Sequence, residues 1–191
     1  MIQNYNGYRV LQEFMEHPLK GYKLRELSRI LKLGLPSVSK YVKELEKEGI
    51  IELQTFHGTR LYFANRESEK FKIHKIFHNR IKLLESGVIE HIQKELSYPT
   101  IILFGSRSRG DDTEKSDYDI AAFGSEIRNL NLDEYERKIK SPIQLVTFNI
   151  EEFQRLKELR PGLLLNIMEG IKLSGNSLNV FRKIHDKTFK I

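Results

Sequence analysis

Two pairs of residues in this 191-residue chain could do chemistry together: Gly105-Ser106, and Asp117 with Asp119 after an interval of ten residues. An apolar run, Ile101 to Phe104, leads into the first pair. A strand that ends in Gly-Ser lets backbone N–H groups and a hydroxyl approach phosphate oxygens with no side chain in the way, the more so where a helix begins. Arg107 and Arg109 add positive charge. Asp117 and Asp119 alternate by two on a strand that starts inside an acidic turn, so both carboxylates point to one face and can share a hard divalent cation. No Lys-Ser or Lys-Thr follows the glycine, which excludes a P-loop, and Gly105 with Gly110 does not make a dinucleotide fingerprint.

The elements that must position these residues are legible around them. Pro99-Thr100 and Gly105 bound the first strand, Tyr118 to Phe123 reads as the second, and PIQLVTF, containing Gln144, as a third. EEFQRLKEL follows as a helix. Pro161 then opens another, with Leu164, Leu165, Ile167 and Met168 as core, and Ile171 to Leu173 forms a last strand. The tail, 176–191, has the pattern of an amphipathic helix. Upstream, 67–97 is helix-like and breaks at Ser86-Gly87. His74 and His78 are four apart and could share a helical face, but nothing nearby completes a zinc motif, so surface or dimer-contact residues are expected.

Both pairs at this separation, each on an expected strand, resemble the GS-x10-DxD signature of minimal nucleotidyltransferases of the DNA polymerase β superfamily, and GSRSRG is similar to the form habitual there. The resemblance covers about 86–175. It implies that Asp117 and Asp119 are the catalytic carboxylates and ligands of Mg²⁺, with Mn²⁺ as a substitute. It makes Gly105 and Ser106 phosphate ligands, and Arg109 a phosphate-facing charge. An acceptor hydroxyl then attacks the α-phosphorus of an NTP, ATP being expected, and pyrophosphate leaves. Members commonly bring a third carboxylate from the next strand to deprotonate the acceptor. The aligned residue here is Gln144, a far poorer base and metal ligand. Either two aspartates with water suffice, or the alignment differs, or the domain binds nucleotide without transferring it.

The first third of the chain has a different pattern. Val10, Leu11, Phe14 and Met15 recur at helical spacing before Pro18; Leu24, Leu27, Ile30 and Leu31 form a stripe ending at Gly34, read as the left-handed stop. Pro36 opens a third helix, with Val38, Val42 and Leu45 inward and Gly49 at its end. IIELQTFHGTRLYFA then gives two β-rich runs around His57-Gly58, a hairpin. LPSVSKYVKELEKEGII resembles the recognition helix of winged-helix regulators. That resemblance covers about 5–66 and implies double-stranded DNA as a partner, met by Ser37, Ser39, Lys40 and Lys43 outside the inward stripe and by Arg60 on the wing. Winged helices also serve as docking or dimerisation modules, so a homodimer is the other expectation.

Charge agrees with this division. The chain carries net +6, of which residues 1–66 hold +4, an electrostatic footprint for nucleic acid. With no cysteine, disulfides, thiolate zinc sites and a cysteine nucleophile are excluded. Apolar runs do not exceed four residues and MIQNYNGYRV lacks the apolar core of a signal peptide, so a cytoplasmic protein without membrane contact is expected. The expected fold class is α+β: a winged helix of three helices plus β-hairpin over 1–66, a linker helix over 67–85, and an α/β nucleotidyltransferase domain with a small mixed sheet over 86–191. Two functions remain open: an enzyme that passes a nucleoside monophosphate to a hydroxyl of a protein, nucleic acid or small molecule, or a DNA-binding regulator that only senses nucleotide.

Overall fold

The computed structural model describes residues 5–124 and 129–175. The expected tail helix, 176–191, lies outside them. The chain forms two compact units, the first comprising 1–78 with 110–114 and the second 79–109 with 115–191.

The first unit is built from α1 (Asn6–Glu16), α2 (Leu24–Leu31), α3 (Leu35–Lys47), β1 (Ile51–Phe56), β2 (Thr59–Ala64) and the opening turns of α4 (Glu69–Ser86). Proline in the first turn of α3 costs nothing, because the N–H it lacks would find no partner inside the helix. Gly49, at φ +71°, carries the chain out of that helix. The end of α2 corrects the sequence reading: the left-handed residue is Lys32, at φ +52°, whereas Gly34 caps the start of α3 at φ −59°. The helix closes early because Leu33 N–H bonds the Ser28 carbonyl while the Ser28 hydroxyl donates to the Leu33 carbonyl, a local wrap that needs no glycine. Ile30, expected on the inward stripe, is 43% exposed.

β1 and β2 pair antiparallel with Thr55 opposite Arg60, and His57 and Gly58 turn the hairpin, both at positive φ. That geometry matches the twist of the strands it joins. Tyr22 and Tyr62 exchange backbone hydrogen bonds at 2.9 Å, a single antiparallel bridge that lays a third stretch of chain beside the hairpin. Val10, Phe14, Leu27, Val38, Val42 and Ile51 fill the core.

The same unit contains a buried ion pair. Lys75 on α4 is 1% exposed and Asp112, in the 110–114 segment, 3%, with Nζ 3.3 Å from Oδ2. The ammonium also donates to the Asp112 carbonyl at 2.6 Å and to the Met15 carbonyl at 3.0 Å. Arg66 donates to the Asp111 carbonyl, and Lys72 pairs with the Asp111 carboxylate at 3.3 Å. His78 is buried against Tyr8, whose hydroxyl lies 3.1 Å from Nδ1.

The second unit contains the rest of α4, then α5 (Val88–Glu95), β3 (Thr100–Phe104), α6 (Ser106–Arg109), β4 (Tyr118–Phe123), α7 (Asp133–Ile139), β5 (Ile143–Phe148), α8 (Ile150–Leu159), α9 (Pro161–Met168) and β6 (Ile171–Ser174). Gly87, at φ +83°, makes the break between α4 and α5 that Ser86-Gly87 foretold. The sheet order is β5-β4-β3-β6, parallel between β4 and β5 and antiparallel elsewhere. Strand alternation divides the core. Ile101, Leu103, Tyr118 and Ile120 pack with Val88, Ile92 and Ile139 on one face, while Ile102, Phe104, Ala121 and Phe123 pack with Phe153, Leu156 and Ile167 on the other. The whole is α+β, a winged helix followed by a small mixed sheet with helices.

Candidate functional site

The β3–β4 ladder sets the first distance in the site. Phe104, the last residue of β3, pairs with Asp119, so Gly105 emerges directly beside that carboxylate. Gly105 sits at φ +72°, and an ideal Cβ there would run into Asp119 Oδ2, far inside van der Waals contact. Only glycine permits both the backbone angle and the approach. Gly105→Ala therefore costs about 1–2 kcal/mol for the left-handed conformation alone and pushes the Asp119 carboxylate aside. A variant that folds but no longer gains thermal stability from Mn²⁺ with nucleotide is the expected result, read by a melting series.

The β4–β5 ladder sets the second. Asp119 lies opposite Gln144, and the Gln144 amide Nε2 donates to Asp117 Oδ2 at 2.6 Å. The neutral amide is thus the β5 neighbour of the two aspartates, and among the described residues no group of three or more metal-ligating side chains forms a cluster. Burial, and next the charge of Asp117, push the Asp119 carboxyl above its ordinary value, while Arg107 and Arg109 pull the other way. Two like charges brought together with part of their water removed form a donor set that a divalent cation would relieve, and hard oxygen ligands suit Mg²⁺ or Mn²⁺. The residues present fit the metal.

Ser106 opens α6 and is partly exposed, as is Gly105, and Arg109 is exposed. Arg107 points the other way. Its side chain is buried, and its guanidinium donates to the carbonyls of Ser116 and Asp117 and to the side chains of Asn79 and Ser141. Sequence reasoning counted Arg107 only as added charge and passed over Asn79 and Ser141. Arg107 and Arg109 are two positions apart, which on a helix of about 3.6 residues per turn sends them to opposite sides, and that is the hint of this in the sequence.

In the first unit Lys40 and Lys43 are exposed on α3, Ser37 and Ser39 are partly exposed, and Arg60 is exposed on β2, with Val38 and Val42 buried on the other face of the helix. Lys40 Nζ lies 5.8 Å from the centre of the Tyr41 ring.

Comparison with known families agrees with both halves. Residues 87–176 match the family described as polymerase beta, nucleotidyltransferase, and residues 4–52 match winged helix-turn-helix DNA-binding. Searches of curated proteins and of solved structures gave no match. The chain is a fusion of a winged helix-turn-helix domain with a nucleotidyltransferase domain of the polymerase β type. No helix among the described residues is long and apolar enough to cross a membrane.

Proposed function

We propose that this chain is a Mg²⁺-dependent nucleotidyltransferase that passes a nucleoside monophosphate from an NTP, with ATP as the expected donor, to a hydroxyl acceptor. The observation that carries the reading is the approach of the Gly105 backbone to the Asp119 carboxylate, with Asp117 beside it. Gly105 and Ser106 offer backbone N–H groups and a hydroxyl to the terminal phosphates, and the exposed Arg109 adds a charge that phosphate oxygens attract. Asp117 and Asp119 would hold Mg²⁺ or Mn²⁺. When bound, the ion supplies Lewis acidity that neutralises charge on the phosphate oxygens as it develops. In the transfer, a bond forms between the acceptor oxygen and the α-phosphorus, the bond to pyrophosphate breaks, and the acceptor proton leaves to water, since the Gln144 amide cannot accept it.

Gln144 also supports a second reading. An amide where a carboxylate would act as base, tied to Asp117, suits a DNA-binding regulator that holds nucleotide without transferring it. Transfer of labelled α-phosphate from each NTP to cell extract, with Mg²⁺ or Mn²⁺, separates the two. On the enzyme reading Gln144→Asp raises transfer, by about tenfold or more for a restored general base. Background transfer in the variant, with nucleotide still bound, favours the sensor.

The cytoplasm is the expected location, and the partners on either reading are an NTP and double-stranded DNA, with a protein hydroxyl among the acceptors to be tried and a homodimer compatible with winged-helix use. Lys40, Lys43 and Arg60 are the expected phosphate contacts, with Ser37 and Ser39 toward the groove. Lys40→Ala with Lys43→Ala leaves the Val38 and Val42 stripe intact. It should weaken binding and lower the salt slope by about one unit per lost contact. A mobility-shift series over salt checks this, and equal binding by the double variant would assign the winged helix to protein docking.

A further inference from the structure

We propose that Arg107 is the positioning residue of Asp117: it staples together the two ends of the spacer between Gly105-Ser106 and the aspartates, and so presents the Asp117 carboxylate to the metal. The inference rests on the metal-site reading given above.

The two aspartates are held by different means. Asp119 lies inside the sheet, with ladder partners on both sides in Phe104 and Gln144. Asp117 lies outside it, one residue before β4, whose pairing begins with Tyr118 opposite Ile143. Its carboxylate accepts from Gln144, a single exposed amide. Its backbone is fixed by Arg107: Nε lies 3.1 Å from the Asp117 carbonyl and 3.2 Å from that of Ser116, which a terminal guanidinium nitrogen also reaches at 2.5 Å. Asn79 Oδ1 at 3.2 Å and Ser141 Oγ at 2.6 Å brace the guanidinium from behind. The Tyr118 ring packs against it, 4.0 Å from Cζ to the ring centre.

Three features make this a positioning device and not general packing. Arg107 follows Ser106 directly, so one short helix carries both the phosphate-loop serine and the group that grips the aspartate turn. Residues 110–114, the middle of the spacer, belong to the first unit, leaving the ends to be joined within the second by the β3–β4 ladder and by Arg107. The planar fork also meets adjacent carbonyls at fixed spacing, which the single ammonium of lysine does not reproduce.

Arg107→Lys and Arg107→Met in the full chain test this. Binding of Mn²⁺ with the α,β-methylene analogue of ATP is measured by calorimetry, the bound Mn²⁺ environment by electron paramagnetic resonance, and folding by circular dichroism. Loss of a partner that orients a metal ligand lowers metal affinity roughly ten- to hundredfold. That loss is expected in both variants at wild-type secondary structure, with a broadened Mn²⁺ spectrum. A folded Lys or Met variant with wild-type affinity overturns the proposal. Should neither fold, Ser141→Ala loosens one brace of the guanidinium; a loss of Mn²⁺ affinity, up to the roughly tenfold of a lost orienting partner, supports the staple, and wild-type affinity overturns it. The metal reading fails in a different pattern: wild-type protein that binds no Mn²⁺, or Asp117→Asn with Asp119→Asn binding as tightly as wild type, removes that reading and the staple with it.

Discussion

Asparagine at both Asp117 and Asp119 should leave a folded protein that Mn²⁺ and nucleotide no longer stabilise. In the wild type the two carboxylates repel, and Asp119 sits partly desolvated beside a like charge. Neutralising both removes that cost, so the melting temperature without ligand should hold or rise. With metal and nucleotide the order reverses. A ligand present at a hundred times its Kd stabilises the native state by about 2.7 kcal/mol, which appears in the wild type and is absent from the variant. Affinity itself should fall by more than about tenfold, since an amide keeps the shape of the carboxylate and loses the charge that holds the cation. Two melting curves per protein, with and without ligand, decide the matter. Equal ligand-induced shifts in both would remove these residues from metal binding.

The second large effect concerns stability. Lys75→Met takes the ammonium from a site where both partners are almost wholly out of water. It leaves the Asp112 carboxylate buried without it and removes the donor that reaches the Met15 and Asp112 carbonyls. Breaking a buried pair on one side costs about 3–5 kcal/mol, a large part of the roughly 5–15 kcal/mol that keeps a domain folded. Removing both charges costs less, because neither charge is left buried without the other. Lys75→Met with Asp112→Leu should therefore be more stable than Lys75→Met alone. Urea unfolding of the single and double variants measures the difference, and a single substitution within about 1 kcal/mol of wild type, the range of a surface pair, would refute the assignment.

Much of this was legible in the sequence for a physical reason. Amphipathic periodicity announces α1 and α3 because each buries one face, the hairpin shows in its His57-Gly58 turn, and β3, buried on both faces, shows as a short continuous apolar run. Gly105-Ser106 and the two aspartates were legible because each pair borders a short apolar run, whereas the approach of Gly105 to Asp119 came from the β3–β4 register. What escaped was polar and long-range. Lys75 and Asp112 are 37 positions apart, and each looks in isolation like surface charge. Arg107 likewise reads only as added positive charge until its carbonyl partners are placed. The stop of α2 was misread because a Ser28–Leu33 wrap can replace glycine, a choice invisible to residue preference. Ile30 was counted inward because periodicity cannot say how wide the buried stripe is. Helix α7, with charge at most of its positions, gave no apolar pattern to read.

Because the first unit draws on 1–78 and then on 110–114, no single cut in the chain releases it whole. A fragment ending at His78 would keep Lys75 and lose the carboxylate and carbonyl of Asp112 that answer it. A fragment beginning at Asn79 would carry Asp111 and Asp112 away from Lys72 and Lys75. Modules joined end to end can be cut apart at one linker, whereas these two are interleaved along the sequence. Exchanging the first unit on such a chain would mean transplanting two separate stretches at once.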